Sequence, residues 1–335
     1  MARTGTILEV LTVAAAVVIG MTACSSDSPA NTAQTFVRVD GRPSNVVFAG
    51  GSVWVLDQDS GALSRIDPAS KKLLASIPTG IRDGDALVLR GDRLWVSGRT
   101  VSATVDITTN RVAASAGRAG VAVGGRVFAR GVQAEQLVEL DPVTGEQRNV
   151  VVLPVVTSTN AQPNIMLSPF AADHGSLYLE YFSEVGETLG RFDPTSGSLT
   201  SLFSIAPYRS IAVAGPTVWL LERNRSLHGY DTTTGKPIVV PAGAQHLLAP
   251  VDANVAGLDE GQVGLVVAPD GTMWALDQPA QFLYQLDPVT GRTISATHLR
   301  YRPSSLLVLD ETMWINNTYD QRITEVDRRQ LPQNS

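Results

Sequence analysis

The sequence predicts an all-β fold, a seven-bladed β-propeller whose last blade is closed by an N-terminal strand, residues 35–40. Three observations support this. One pattern of residues recurs seven times along the chain, its segments are short β-branched and aromatic runs bounded by Gly, Asp, Asn and Pro, and helical periodicity is nearly absent. A repeat of roughly 40 to 45 residues with four short strands is typical of a propeller blade.

The repeated unit contains an aromatic residue and, between 11 and 15 positions later, an aspartate. The aromatic positions are Trp54, Trp95, Phe128, Tyr178, Trp219, Trp274 and Trp314. The aspartates are Asp67, Asp106, Asp141, Asp193, Asp231, Asp287 and Asp327. Because the two series keep the same phase, each aromatic is expected to pack between sheets and each aspartate to begin a turn.

The run from Asp141 to Gly145, Asp-Pro-Val-Thr-Gly, shows why a turn is expected. The aspartate side chain can accept hydrogen bonds from amides ahead of it, Pro142 fixes φ, and Gly145 can adopt a left-handed conformation. A metal-binding role is disfavoured, because one carboxylate per repeat supplies too few oxygen ligands for a hard cation. No metal site is therefore predicted.

The two ends of the chain are expected to meet in one blade. The strand at residues 35–40 precedes the first full repeat, while the last repeat stops after Asp327. Pairing the two pieces would complete the seventh blade and remove an open sheet edge. The propeller domain is therefore assigned to residues 35–329, with a short tail at residues 330–335.

Residues 1–23 are predicted to be an export signal. Arg3 precedes an apolar run over residues 10–19, and the run ends in Met21-Thr22-Ala23-Cys24. This ending resembles the bacterial lipoprotein signal, and Cys24, the single cysteine, would then carry palmitate or similar acyl chains. A stray cysteine in an ordinary cleaved signal remains an alternative, whereas the apolar run is short for a spanning helix.

The expected mature protein is attached to the outer side of the cytoplasmic membrane by this lipid. Residues 24–34 are mostly small and polar, as a flexible tether should be. The chain has 26 basic and 32 acidic residues, a formal charge of −6. A nucleic-acid surface needs clustered positive charge, so that partner is excluded. A monomer is expected.

The repeats resemble the extracytoplasmic bacterial propellers of the YVTN, NHL and virginiamycin B lyase families over essentially residues 36–329. With the strands of each blade lettered A to D from the axis outward, the resemblance implies that the D–A connections and B–C turns share one face, which usually binds ligands. Five arginines fall on the D–A connections and three acids at the B–C turns. They are Arg42, Arg82, Arg118, Arg209 and Arg302, with Asp57, Glu222 and Asp277.

Two interpretations of these residues remain open. The guanidinium groups could converge on an anionic ligand, since their shape matches carboxylate and phosphate. They could instead pair with the neighbouring acids and stiffen the face.

The expected function is non-catalytic binding of a protein, a glycan or a small anion at this face, without a cofactor. One alternative is a metal-assisted lyase or hydrolase that uses His246 and His298 with a divalent cation. No position matches the catalytic motif of the lyase relatives. Another alternative is a structural assembly factor of the cell envelope.

Overall fold

The computed structural model describes residues 34–331 apart from 83, 85, 99–101, 116–119, 132, 134, 154–171, 174, 184–185, 206–207, 223–225 and 241–262. Cys24, Arg118 and His246 therefore lie outside the described residues, as do the predicted signal peptide, most of the tether and most of the tail. Among the described residues, no helix is long and apolar enough to span a membrane.

Seven four-stranded antiparallel sheets form the fold, as predicted. Blade one contains β2 (Pro43–Ala49), β3 (Ser52–Asp57), β4 (Leu63–Ile66) and β5 (Leu73–Ile77). Blade two contains β6 (Ala86–Arg90), β7 (Arg93–Ser97), β8 (Ser102–Asp106) and β9 (Val112–Ser115). Blade three contains β10 (Val121–Val123), β11 (Arg126–Arg130), β12 (Gln136–Leu140) and β13 (Gln147–Val152). Blade four contains β14 (Ala172–Asp173), β15 (Ser176–Ser183), β16 (Gly186–Asp193) and β17 (Ser198–Ser204).

Blade five contains β18 (Tyr208–Ala214), β19 (Thr217–Glu222), β20 (Leu227–Asp231) and β21 (Pro237–Ile238). Blade six contains β22 (Val263–Val267), β23 (Met273–Asp277), β24 (Phe282–Leu286) and β25 (Thr293–His298). Blade seven contains β26 (Ser305–Val308), β27 (Thr312–Asn317), β28 (Arg322–Asp327) and β1 (Gln34–Arg38). Within the described residues, two short 3-10 turns occur, at Thr318–Asp320 and Arg328–Gln330.

The N-terminal strand closes the circle. Strand β1 pairs antiparallel with β28, with Gln34 opposite Val326 and Arg38 opposite Arg322. The observed strand begins one residue earlier and ends two residues earlier than the predicted segment, because Val39 and Asp40 already lead into the next blade. The first strands of neighbouring blades contact one another, which places them around the centre and places the fourth strands, β1 included, at the outside.

Each blade is buried on both faces, which explains why its inner strands are continuous apolar runs. In β3, Trp54 and Leu56 pack with residues of blade two, including Leu94. Val53 and Val55 point the other way and pack with Trp314 of blade seven. Alternating side chains of one strand therefore contribute to two different interfaces between blades.

The predicted aspartate turns are confirmed in all seven repeats. In six, the carboxylate accepts a hydrogen bond from the backbone N–H two residues ahead, at 2.7 to 3.1 Å: Asp67, Asp106, Asp141, Asp193, Asp231 and Asp287. Asp327 accepts in the same way from the N–H of Arg329, at 2.9 Å. Where glycine occupies the fifth position, as at Gly145 and Gly291, its φ is 72° or 71°.

The turn after the third strand of a blade reaches back to the preceding blade. At the junction of blades five and six, Trp219 Nε1 donates a hydrogen bond to Pro288 O at 3.0 Å. At the junction of blades one and two, Arg65 Nη1 donates to Asn110 Oδ1 at 3.1 Å. At the junction of blades four and five, Arg191 Nη1 donates to Thr232 O at 3.3 Å.

The same arrangement completes the circle around blade seven. The Lys71 Nζ of the blade-one turn lies 5.1 Å from the centre of the Trp314 ring and pairs with Glu325. Arg328 follows the third strand of blade seven, and its guanidinium lies 5.7 Å from the Trp274 ring of blade six. These cation–π contacts attach each turn to the blade aromatic next to it.

Gly291 allows a test of this packing. A Cβ at Gly291 would lie 2.6 Å from Cζ3 of Trp219, whereas a Cβ at Gly271, whose φ is also positive, would meet nothing within 4 Å. We expect Gly271→Ala to lower the free energy of unfolding by about 1 to 2 kcal/mol through backbone strain alone. Gly291→Ala should cost about 1 to 3 kcal/mol more because of the overlap with the indole. Equal losses in urea unfolding would contradict the proposed packing.

The turn aspartates predict acid sensitivity. Hydrogen bonds from the N–H groups of Thr144 and Val143 lower the pKa of Asp141 to about 2, and the other six turn aspartates also have lowered pKa values. A folded-state pKa below the unfolded value stabilises the fold above about pH 4, and this stabilisation is lost as the pH falls toward about 2. The melting temperature should therefore drop in that window and level off between about pH 5 and neutral pH.

A matched pair of variants tests whether the turn aspartates cause this loss of stability at acid pH. Asp141→Asn should reduce the acid dependence of the melting temperature, because the titrating group is removed. Asp310→Asn should leave it unchanged, because the exposed Asp310 carboxylate accepts no hydrogen bond in the described part of the chain. A melting temperature that is constant down to about pH 2 would contradict the role of the turns.

Candidate ligand-binding rim

The D–A connections and B–C turns meet at one end of the blades. In blade one, Gln58 N, in the B–C turn, donates a hydrogen bond to Arg42 O, in the D–A connection, at 2.9 Å. Arg42 N in turn donates to Asp57 Oδ1 at 3.2 Å. We call this end of the molecule the rim. It is the face on which the sequence places the candidate arginines and acids.

Asp57 organises the blade-one part of the rim. Its carboxylate also accepts hydrogen bonds from Asp59 N at 2.9 Å and from Ser60 Oγ at 2.7 Å. Gly41 lies so close that a Cβ there would be 1.9 Å from Asp57 Oδ2. The carboxylate is thus held between the B–C turn and the D–A connection, and its main role in the described structure is to fix their relative position.

The three arginines whose side chains are described differ in their surroundings. Arg42 Nη1 lies 3.4 Å from Asp59 Oδ1, with the two side chains 43% and 57% exposed. An ion pair this exposed is weak, because water screens it and both side chains lose entropy. Arg82 and Arg302 are exposed, and no carboxylate of the described residues lies within 4.0 Å of either guanidinium.

These three arginines occupy successive D–A connections: Arg302 lies between blades six and seven, Arg42 between seven and one, and Arg82 between one and two. Arg209 differs from the expected loop position, because it lies within β18, at a shift in the pairing with β19 between Tyr208 and Ser210. The strand starts earlier than the sequence suggests because the chain bulges and continues its pairing.

Glu222 meets a histidine that the sequence analysis did not pair with it. Glu222 Oε1 lies 3.5 Å from His228 Nε2. Nearby, Tyr230 stacks on Phe203 with ring centres 3.7 Å apart. Burial raises the pKa of Tyr230, and the Glu222 charge raises it further. The signal was present in the sequence, since Glu222 and His228 flank one short hairpin turn, but hairpin register decides which side chains meet.

Asp277 and Asn317 end the second strands of blades six and seven, and both are buried. Asp277 Oδ1 accepts a hydrogen bond from Ala280 N at 3.1 Å. Asn317 Nδ2 donates to Thr324 Oγ1 at 2.7 Å. Both side chains therefore contact their own B–C hairpin, and neither is exposed to an incoming ligand.

His298, the described residue of the alternative catalytic pair, lies at the end of the outermost strand of blade six. Its ring meets the Phe282 ring edge-on, with centres 5.2 Å apart. Among the described residues, no group of three or more His, Cys, Asp or Glu side chains is arranged to hold a metal ion. The described geometry brings Glu222 and His228 together, and it places His298 on the outer wall.

No protein-family model matches the chain, and no curated protein matches it. Several solved structures are similar to the chain. Selenomethionine-substituted virginiamycin B lyase from Staphylococcus aureus is 14% identical, covers 88% of this chain and 99% of its own, and has a TM-score of 0.63. A streptogramin B lyase is 13% identical, with 88% and 97% coverage and a TM-score of 0.64. BamB from Moraxella catarrhalis is 13% identical, with 89% and 99% coverage and a TM-score of 0.53.

At these identities the likeness shows the fold and does not transfer chemistry. The described chain and these structures share the β-propeller fold. The chain is therefore a seven-bladed β-propeller, similar in fold to virginiamycin B lyase and BamB.

Proposed function

We propose that this protein is a lipid-anchored extracytoplasmic propeller that binds a protein, a glycan or a small anionic ligand at its rim, without catalysis. The observation that carries the proposal is the pair of exposed guanidinium groups on the rim, Arg82 and Arg302, which no carboxylate of the described residues neutralises. They flank Arg42, whose exposed ion pair with Asp59 is easily displaced.

The chemistry of these three arginines favours an anionic ligand. Each guanidinium presents a planar set of N–H donors that matches a carboxylate or a phosphate. Because Arg302, Arg42 and Arg82 stand on consecutive connections, an extended partner with several acidic groups could contact all three. The blade aromatics are buried in the interfaces between blades, so they leave the rim to polar contacts.

A titration tests this role. We expect the melting temperature of residues 24–335 carrying Cys24→Ser to rise with one member of a panel of polycarboxylates, phosphates and acidic glycans. Arg82→Gln combined with Arg302→Gln should lower the affinity for that ligand by about tenfold or more per lost charge-assisted hydrogen bond. Arg111→Gln removes one exposed arginine beside a C–D turn, at the opposite end of blade two, and should leave binding unchanged. If no member of the panel shifts the parent, the rim proposal fails.

The lipid anchor has its own test. We expect metabolic labelling with a palmitate analogue to mark the parent protein and to fail with Cys24→Ala, because Cys24 is the single cysteine. The labelled parent protein should also be recovered in the membrane fraction. An unlabelled parent protein that is recovered free of membranes would contradict the anchor and would leave the rim titration unaffected.

The Glu222–His228 pair supports a second candidate, a metal-assisted lyase. A carboxylate beside an imidazole can transfer protons, and two of the similar structures are lyases. This function requires chelator-sensitive breakdown of a streptogramin B antibiotic that is lost in His228→Gln. An inert parent protein in the presence of added divalent metal would exclude it.

A further inference from the structure

Two arginines face each other across the strand pair that closes the propeller. Arg38 of β1 lies directly opposite Arg322 of β28. Side chains at opposed positions point to the same face of the sheet, and like charges there destabilise the pairing. In the part of the chain that the structure describes, no carboxylate lies within 4.0 Å of either guanidinium. The closing pair therefore carries concentrated positive charge without internal compensation.

Aromatic rings and a third arginine surround this pair. Phe36 shares the face of Arg38, and its ring meets the Tyr301 ring edge-on, with centres 5.0 Å apart. The Arg322 guanidinium lies 5.0 Å from the Tyr301 ring, and that of Arg300 lies 5.6 Å from the Phe36 ring. Cation–π contacts orient the guanidinium groups without neutralising them. We call these five residues the closing-strand patch.

The chain enters the propeller beside this patch. Gln34, the first residue of β1, accepts a hydrogen bond from Arg300 N at 3.1 Å and donates one to His298 O at 3.0 Å. The ten residues 24–33 can span at most about 35 Å even when fully extended. If Cys24 is acylated, the patch cannot lie farther than this from the bilayer surface.

We propose that the closing-strand patch docks against anionic phospholipid headgroups. Guanidinium groups donate hydrogen bonds to phosphate oxygens, and aromatic rings next to them suit the headgroup layer. The formal charge of −6 would repel the protein from an anionic surface as a whole. A local basic surface is therefore the part that can approach. The inference rests on the proposed anchor for its geometry.

This docking leaves the Arg82 end of the rim accessible, whereas Arg302 lies in the same connection as Arg300 and Tyr301 of the patch. Strand β1 is the outermost strand of blade seven, on the side away from the central strands. Arg82 lies beyond blade one, on the connection that leads into blade two. Contact through β1 would orient the propeller on the membrane and leave this part of the rim accessible.

Vesicle flotation tests the proposal without the lipid. Residues 24–335 with Cys24→Ser contain every strand of the seven sheets, all of which come from residues 34–327, so the truncation removes no part of the propeller. We expect this protein to bind vesicles of phosphatidylglycerol mixed with phosphatidylcholine and not to bind vesicles of phosphatidylcholine alone. Added salt should release it, because the attraction is electrostatic.

Variants locate the contact. Arg38→Gln combined with Arg322→Gln should weaken vesicle binding about 25-fold, the product of about fivefold per arginine. Arg38→Lys combined with Arg322→Lys keeps the charge and should retain most of the binding. Arg111→Gln should change it little, since Arg111 is exposed beside a C–D turn and does not belong to the patch. Arg300→Gln, in a connection outside the paired strands, should weaken binding by itself.

Three results would overturn the inference. The first is failure of the parent to bind the anionic vesicles. The second is release by inorganic phosphate at an ionic strength where sodium chloride has no effect, because it would identify a soluble anion as the ligand. The third is a lower melting temperature of the Arg38→Gln, Arg322→Gln variant with unchanged vesicle binding, which would show a structural role. Palmitate labelling tests the lipid anchor separately, so failure of the anchor and failure of headgroup docking are distinguishable.

Discussion

The fold depends on the contact between one blade and the turn of the next. A four-stranded sheet with apolar side chains on both faces is unstable alone, because each face must be covered. Here each blade covers its neighbour, and the aspartate-initiated turn supplies a backbone carbonyl or a cation to the aromatic side of the preceding blade. The hydrophobic interface fixes the distance between blades, and these polar contacts fix their relative orientation.

Arg90 provides a similar polar contact at the junction of blades two and three. Its guanidinium lies 4.5 Å from the Trp95 ring, and its Nη2 donates to Gly120 O at 3.2 Å, next to the first strand of blade three. Burial lowers its pKa to about 10, which leaves it charged at neutral pH. A cation is thus tolerated within the interface, because an aromatic face and a carbonyl replace part of its hydration.

The architecture was predictable because its determinants are local in the sequence. An Asp-Pro-Val-Thr-Gly run specifies a turn through its own backbone and side-chain chemistry, and the spacing of 13 positions from Trp274 to Asp287 matches one hairpin followed by its turn. The rim was predictable only in outline. The pairing of Arg42 with Asp59, the meeting of Glu222 with His228 and the bulge at Arg209 depend on side-chain direction and strand register, which a pattern of residue types does not determine.

The pairing of β1 with β28 also has a consequence for folding during synthesis. Gln34 and Val326 are neighbours in the sheet, yet nearly the whole chain separates them. Strand β1 is synthesised long before β28 and must stay unpaired until β28 has been made. Closing a loop of this length is entropically costly and slow. Completion of the ring is thus expected to be a late event, and until then the exposed edge of blade seven is open to chaperones or to other chains.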